Sequence, residues 1–133
     1  MARDRYHQPI REALELAGWL VKDDHRLRFG GRLLFIDLGA ELITAEFEHI
    51  AIAVEVKDFM RSDADVIYAA VGQYLAYKSW LARVEPHRIL YLGVSEVIAN
   101  NLFRTDLMQA LIEDYAIRIL AVSIPERRIT AWH

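Results

Sequence analysis

Three charged side chains stand in stretches of the sequence that are otherwise apolar. Glu55 and Lys57 end the run of residues 50–57, and Asp37 interrupts the run of residues 33–38. Removing a charge from water costs several kcal/mol unless the charge is paired or coordinates a metal. Each of these residues therefore needs a partner, and together they are the first candidates for chemistry.

The spacing of Glu55 and Lys57 fits one face of a β-strand. Alternation along a strand places residues 51, 53, 55 and 57 on one face and residues 52, 54 and 56 on the other. Because both faces are apolar almost to the end of the strand, the strand is predicted to lie in the middle of a sheet that is covered on both sides. The alanines at positions 51 and 53 leave space beside the two charges.

If the strand that contains Asp37 lies beside residues 50–57, Asp37 and Glu55 converge. Two carboxylates with a main-chain carbonyl oxygen form a hard oxygen site of the kind that Mg²⁺ accepts, with Mn²⁺ as a substitute. The ammonium of Lys57 can then orient or deprotonate a water molecule, or stabilise charge on a phosphate. This arrangement predicts metal-assisted phosphodiester hydrolysis, and a structural ion pair of Lys57 with Glu55 or Asp37 is the competing interpretation.

Polar residues on the predicted helices extend the candidate site. Gln73 and Tyr77 are spaced i, i+4 and share one face of the helix that follows the strand. Gln73 can hydrogen-bond a metal-bound water or Lys57, and Tyr77 can contact a phosphate. Glu12 or Glu15 on the first helix is a candidate third acid, although a solvated helix face is the ordinary role of such residues.

Hydrophobic periodicity and turn residues predict the elements that position these side chains. A helix is predicted over residues 6–21, a turn over 23–25, and an antiparallel meander over 26–58. A long helix follows Ser62, with Asp65 completing a capping box, and ends before Pro86. A strand over 89–94, a helical stretch over 95–116 that breaks near 100–101 or at 105, and a hairpin over 117–132 follow. This order predicts one α/β (α+β) domain over residues 1–133, with a mixed sheet flanked by helices.

Composition excludes several classes of protein. The 133 residues include no cysteine, which excludes thiolate chemistry and favours a reducing, cytoplasmic location. The histidines are scattered without zinc-site spacing, and neither a nucleophile elbow nor a glycine-rich phosphate loop is present. No apolar run is long enough for a membrane helix. The net charge of −3 indicates that any contact with DNA uses a local patch, a metal or a partner.

Two sets of residues are candidates for contacts with other molecules. The row Arg26, Arg28 and Arg32 and the pair Arg127 and Arg128 are candidates for contacts with DNA or protein, although such arginines are usually solvated. The chain is also expected to form a homo-oligomer. Its interface is expected to draw on aromatic residues, namely Tyr74, Trp80, Phe103 and Trp132.

Asp37, the triplet Glu55-Val56-Lys57 and the pair Gln73 and Tyr77 resemble the motif of the PD-(D/E)xK nuclease superfamily, the last two its RecB-like branch. Over nearly its full length the chain resembles more closely the XisH family of cyanobacterial fdxN-element excision controlling factors. The stretches that carry this resemblance are Ala17-Gly18-Trp19, Phe35-Ile36-Asp37-Leu38-Gly39-Ala40-Glu41, Ile52-Ala53-Val54-Glu55-Val56-Lys57-Asp58-Phe59, Gly72-Gln73-Tyr74 and Glu85-Pro86-His87-Arg88-Ile89-Leu90-Tyr91-Leu92.

The superfamily resemblance implies a restriction-endonuclease-like fold and a role for each motif residue. Asp37 and Glu55 are then metal ligands, Lys57 is the catalytic lysine, and Gln73 and Tyr77 are accessory. Two departures bear on the first acid. Ile36 stands where the superfamily pattern has proline, and the long gap before Glu55 leaves Glu46 as a substitute for Asp37.

The XisH resemblance implies a role in DNA rearrangement. Members of that family assist a site-specific recombinase in removing a chromosomal element during heterocyst differentiation, alongside a small companion protein, XisI. The sequence is compatible with three functions. The first is an accessory factor for DNA excision on a nuclease-like fold, the second an active Mg²⁺-dependent DNA endonuclease, and the third an inactive interaction module whose former active-site charges only hold the core together.

Overall fold

The computed structural model describes residues 4–60 and 63–133. Its elements, in chain order, are α1 His7–Leu16, β1 Leu20–Phe29, β2 Arg32–Ile43, β3 His49–Val56, α2 Ala64–Val84, β4 Arg88–Ser95, α3 Glu96–Asn100, a 3₁₀ turn Leu102–Arg104, α4 Asp106–Tyr115, β5 Ile119–Ser123 and β6 Arg128–Trp132. The order matches the predicted helix, strands, helix, strand, helix, strands, with the third helical stretch interrupted between α3 and α4.

The six strands form one mixed sheet in the order β1-β2-β3-β4-β5-β6. β1, β2 and β3 make the predicted antiparallel meander. β3 pairs in parallel with β4, and β4 with β5, so that α2 and the α3–α4 segment serve as the crossover connections that parallel pairing requires. β6 returns antiparallel to β5 as the predicted closing hairpin. The mixed α/β architecture is therefore confirmed.

The two faces of the sheet carry separate hydrophobic cores. On one face Ala53 packs with side chains of α2, among them Tyr74 and Leu81. On the other face Ile52 and Val54 pack under α1 with residues such as Ile10, Leu14 and Val56. The predicted alternation of β3 is confirmed, and residues 51–56 are all buried. Glu55 therefore lies on the face that α2 covers.

β1 and β2 reverse their side-chain alternation together. In β2, Leu38 lies in the core under α1 whereas Ile36 lies in the core under α2. The reversal falls at Asp37, and opposite it in β1 the backbone of Asp24 has a φ of 55°. The predicted turn at residues 23–25 is wrong because the chain continues as a strand on either side. Aspartate tolerates the left-handed conformation, so the polar residues 23–25 mark a kink within β1 and not the end of an element.

Helix ends differ from prediction where local signals compete. α1 ends at Leu16, several residues before position 21, because Gly18 turns the chain with a φ of +96° and β1 starts at Leu20. The capping box at Ser62 lies outside the described residues. The side chain of Asp63 accepts a hydrogen bond from the amide of Val66 and caps α2. α2 ends at Val84, before Pro86 as predicted.

Two aromatic residues expected at an oligomer interface lie inside the chain instead. Tyr74 is 1% exposed, and Phe103 packs edge-on against Phe59 with ring centroids 5.5 Å apart. Trp80 and Trp132 remain candidates for an interface, so homo-oligomerisation stays a prediction. Across residues 4–60 and 63–133, none of the helices combines the length and apolarity needed to span a membrane.

Candidate active site

The pairing of β2 with β3 stops just before the two candidate acids. Main-chain pairing runs from Ile43 opposite His49 to Leu38 opposite Val54. Beyond this point, side-chain hydrogen bonds take the place of main-chain pairing between β2 and β3. The amide of Asp37 donates to Oε1 of Glu55 at 3.3 Å, and the amide of Val56 donates to Oδ2 of Asp37 at 2.8 Å. The two carboxyl groups therefore meet at the end of β3, as the sequence predicts.

Lys57 completes the cluster from the next position on the same face. Its Nζ lies 3.7 Å from Oε2 of Glu55, and its side chain stays about one-third exposed. The main-chain amide of Lys57 donates to the carbonyl of Gly93 at 3.0 Å, which holds this end of β3 against β4. A buried carboxylate and a solvent-accessible ammonium thus stand side by side.

The environment of Glu55 favours its protonated form. Burial, followed by the charge of Asp37, raises the pKa of Glu55 to about 8, while Lys57 acts in the opposite direction. Glu55 is therefore largely protonated at neutral pH. A divalent cation can take the place of that proton.

The donor set suits a hard dication that keeps most of its waters. Mg²⁺ is commonly bound through one or two carboxylates with water molecules in the remaining positions. In the described part of the chain, histidine and acidic side chains form no cluster of three or more that could hold a metal. Asp37 and Glu55 are thus a two-carboxylate site, and the remaining ligands would come from water, main chain or substrate.

Tyr77 and Gln73 approach this cluster from α2. The hydroxyl of Tyr77 donates to the carbonyl of Phe35 at 3.1 Å, and Nε2 of Gln73 donates to the Tyr77 hydroxyl at 3.3 Å. Burial, with the nearby charges of Glu55 and Asp37, raises the pKa of Tyr77. Tyr77 therefore ties α2 to β2 beside the acids, and Gln73 contacts Tyr77 rather than Lys57.

The alternative acids lie elsewhere. Glu12 forms an ion pair with Arg127, and Oε1 of Glu15 lies 3.4 Å from Nε of Arg11. Glu46 is exposed in the turn that precedes β3, at the opposite end of that strand from Glu55. Asp37 is therefore the acid that meets Glu55, and Glu46 does not replace it.

Asp4 is an acid near the site that the sequence analysis missed. Its Oδ2 accepts the amide of Asp58 at 3.0 Å, and its Oδ1 accepts the amide of Tyr6 at 2.9 Å. Burial, together with the charges of Asp58 and Asp37, raises the pKa of Asp4. No local pattern marks this residue, because it precedes α1 in a polar stretch and only the packing of α1 brings it near β3.

Other residues that carry the family resemblance stabilise the fold. The buried hydroxyl of Tyr74 donates to the carbonyl of Leu90 at 2.9 Å and accepts the amide of Arg118 at 3.0 Å. Arg88 donates to the carbonyl of Ile52 at 2.9 Å and pairs with Glu85 at 3.0 Å. These bonds hold α2 and the start of β4 against the sheet.

A cavity of about 780 Å³ lies away from the acids, where Arg88 pairs with the first half of β3. His25, Gly39 and Glu41 border it, and of the candidate acids only Glu15 does. The sequence-predicted site therefore lies at the end of β3, separate from this cavity.

Comparisons with known proteins agree along the whole chain. The family described as XisH protein matches residues 1–130. The structure is similar to that of a fdxN element excision controlling factor protein from Anabaena variabilis, with a TM-score of 0.86, 30% identity and coverage of 98% of each chain. It is also similar to an XisH family protein from Nostoc punctiforme PCC 73102, with a TM-score of 0.82, 32% identity, and coverage of 97% of this chain and 98% of that one. No curated protein sequence matches at a significant level. With family, identity and fold in agreement over nearly every residue, the chain belongs to the XisH family.

Proposed function

We propose that this protein is an accessory factor that controls the excision of a DNA element, acting alongside a site-specific recombinase and a small companion protein of the XisI type. The observation that carries the proposal is the match over residues 1–130 to a family of which one similar structure is named a fdxN element excision controlling factor. A heterocyst-forming cyanobacterium is the expected setting. The net charge of −3 suits a protein that works on DNA with partners.

The meeting of Asp37, Glu55 and Lys57 favours a second, more specific function, that of a Mg²⁺-dependent DNA endonuclease on a restriction-endonuclease-like fold. Two carboxylates and an ammonium at one strand end are the groups that metal-assisted phosphodiester hydrolysis uses. Nζ of Lys57 lies 3.7 Å from Oε2 of Glu55, so both groups can lie beside the same phosphate. Mn²⁺ is expected to substitute for Mg²⁺.

In this mechanism Asp37 and Glu55 would hold the cation and Lys57 would face the substrate. When bound, Mg²⁺ supplies Lewis-acid stabilisation of charge on the phosphate. Glu55 would have to be deprotonated to hold the cation, and the positive charge of the cation would offset the burial and the charge of Asp37 that raise the pKa of Glu55. Lys57 places a positive charge beside the phosphate oxygens. Tyr77 positions β2, and through it Asp37, by its bond to Phe35.

A third candidate, an inactive interaction module, is favoured by one feature of the same site. Both carboxyl groups accept main-chain amides, so they also replace the missing ladder bonds of β2 and β3. If that is their whole role, the wild type neither binds Mg²⁺ nor cleaves DNA, and removing either side chain only destabilises the domain.

The accessory role is tested by association. The purified protein, mixed with its XisI-type companion at micromolar concentration, should co-elute as one complex in size-exclusion chromatography. The complex should also raise excision of an element-flanked reporter by the recombinase. Separate elution of the two proteins, with no effect on excision, would contradict the accessory role.

The nuclease role is tested by conversion of supercoiled plasmid in Mg²⁺ or Mn²⁺, with and without the companion. Glu55→Gln and Lys57→Ala should each abolish cleavage. The matched controls Glu48→Gln, in the exposed turn before β3, and Lys22→Ala, on the exposed side of β1, should cleave as wild type does. Intact plasmid under every metal with the companion present, or equal cleavage by all four variants, rejects the nuclease.

A further inference from the structure

The far half of the β1–β2 hairpin, residues 25–36, is named here the hairpin arm. It contains three arginines and neither aspartate nor glutamate, so it carries a charge of +3. Since the whole chain carries −3, the remaining residues together carry −6. Positive charge is thus concentrated in one short segment of an acidic protein, which the net charge conceals.

The strand register places two of these arginines together on one face. Arg26 lies opposite Phe35 and Arg28 opposite Leu33. Directly paired residues project from the same face, and here that face is the one turned away from α2, since Leu27 between them is buried in the core under α2. All four side chains are exposed, with Phe35 at 37% and Leu33 at 40%. The third arginine, Arg32, is exposed at the start of β2, beside the hairpin turn.

The arginines are not occupied by internal ion pairs. In the described ranges of the chain, no carboxylate forms an ion pair with Arg26, Arg28 or Arg32. By contrast, the nearby Arg11 is held by Asp23 at 2.8 Å. The one acidic contact of the arm joins His25 to Glu85 at 2.7 Å, and His25 shares the α2 face with Leu27. The arginine face therefore offers guanidinium groups to an external anion.

The arm runs directly out of the candidate active site. Phe35 is two residues from Asp37 and Leu33 is four residues from it, which corresponds to about 7 Å and about 13 Å along a strand. Arg26 and Arg28 share those positions through the register. The hydroxyl of Tyr77 fixes the base of the arm by its bond of 3.1 Å to the carbonyl of Phe35. The sheet therefore sets the distance between the arginines and the acid pair along β2, with the arginines on the face opposite the one from which Glu55 projects.

We propose that the hairpin arm binds the phosphate backbone of a DNA duplex and so holds the duplex at the edge of the sheet that carries Asp37, Glu55 and Lys57. This inference rests on the proposed function at DNA and adds the surface that grips the substrate. Exposed arginines without internal partners are the usual contacts for phosphate oxygens. A two-stranded β-ribbon also has the dimensions of the major groove. Because no base-reading pattern is present, the contacts are made to the backbone.

The test measures equilibrium binding of the full chain to a fluorescein-labelled duplex of about 30 base pairs, over a salt series of about 50 to 200 mM. The arm variant combines Arg26→Gln, Arg28→Gln and Arg32→Gln. It should bind at least about tenfold more weakly, and the slope of log K against log salt should become shallower by about 2 to 3, as expected for three lost phosphate contacts.

A control variant removes the same charge from other exposed positions, by Arg83→Gln, Arg104→Gln and Arg118→Gln. It should bind within about twofold of wild type with an unchanged slope, because these arginines lie away from the arm. Equal weakening of both variants would mean that only net charge matters. That result, or the absence of duplex binding by the wild type at low salt, overturns the proposal.

A protein partner on the same face is distinguished by one further variant. If Phe35→Ser abolishes association with the XisI-type companion while the arm variant binds DNA normally, the face is a protein interface and the proposal fails. These assays measure DNA binding and use no cleavage readout. The arm variant keeps Asp37 and Glu55, so metal binding by these residues should stay intact. Failure of the nuclease role and failure of the arm are therefore observed separately.

Discussion

The main-chain amide of Asp37 donates a hydrogen bond of 3.3 Å to the side chain of Glu55, 18 residues further along the chain. The bond replaces a rung of the β2–β3 ladder, and the amide of Val56 returns a bond to Asp37 on the other side. Main-chain pairing between β2 and β3 therefore stops where the two acids meet. This reciprocal arrangement brings the two carboxyl groups together, and protonation of Glu55 limits their repulsion.

Stability should fall as pH rises, as a result of the raised pKa of Glu55. The folded-state pKa is about 8 against an ordinary value of 4.5, so between these values the folded chain holds a proton that the unfolded chain has lost. The contribution is complete below the lower value and is lost as pH rises through the upper one. Urea unfolding without divalent cations should show a loss on the order of 3 to 5 kcal/mol between about pH 5 and about pH 9.

Glu55→Gln tests that assignment. The amide cannot ionise, so the variant should lose most of this pH dependence and exceed the wild type in stability at the alkaline end. Glu48→Gln, in an exposed turn, should retain the slope of the wild type. A Glu55→Gln protein with the full wild-type slope would assign the titration to another group.

Divalent cation should stabilise the wild type, and more strongly at alkaline pH. Mg²⁺ competes with the proton on Glu55, so raising the pH frees the site for the metal. At a free cation concentration about ten times the dissociation constant, binding adds about 1.4 kcal/mol, which differential scanning calorimetry detects as a higher Tm.

Single substitutions separate the ligands from the lysine. Asp37→Asn and Glu55→Gln should abolish the Mg²⁺-dependent rise in Tm. Lys57→Ala should keep it, because removal of a neighbouring positive charge favours a cation. A rise in Tm of equal size in all three variants would locate the metal outside the acid pair.

Tyr74→Phe should destabilise the domain without altering the site. Its hydroxyl bonds the carbonyl of Leu90 and the amide of Arg118, and both lose a buried partner in the variant. The expected loss in the free energy of unfolding is about 1 to 3 kcal/mol by urea titration. Tyr68→Phe on the exposed side of α2 is the control and should change stability by less than about 0.5 kcal/mol. Equal effects would show that the buried bonds contribute nothing.

Substitution by alanine should have opposite effects on stability at two glycines. A Cβ at Gly39 would stand 2.7 Å from Nδ1 of His25, so Gly39→Ala must displace the imidazole that pairs with Glu85. The expected cost is about 1 to 3 kcal/mol. Gly72 lies within α2 with no atom in reach of a Cβ, so Gly72→Ala should stabilise by about 0.5 to 1 kcal/mol. Thermal unfolding of both variants measures the difference, and a stable Gly39→Ala protein would mean that His25 has room to move.

Local patterns determined the order of the elements. The alternation in residues 50–57 predicts a central strand with Glu55 and Lys57 on one face, since side-chain direction in a strand has a period of two. Pro86 and the breaks near 100–101 and at 105 likewise mark ends that the structure retains. These features depend on neighbours close in sequence, so one chain is enough to predict them. The turn predicted at residues 23–25 is wrong, because Asp24 adopts a left-handed conformation inside β1. Pairing with β2 keeps the chain in a strand on both sides of it.

The charged residues in apolar strands, and the face from which Glu55 and Lys57 project, can be predicted from the chain alone, because both follow from the alternation of neighbouring residues. Folding in three dimensions was needed to establish that Asp37, and not Glu46, meets Glu55, that Asp4 comes near, and that the arginines of the hairpin arm project from the face turned away from α2. The physical reason is that strand register and helix docking set contacts between distant residues, and a shift of one residue in register would send each side chain to the other face.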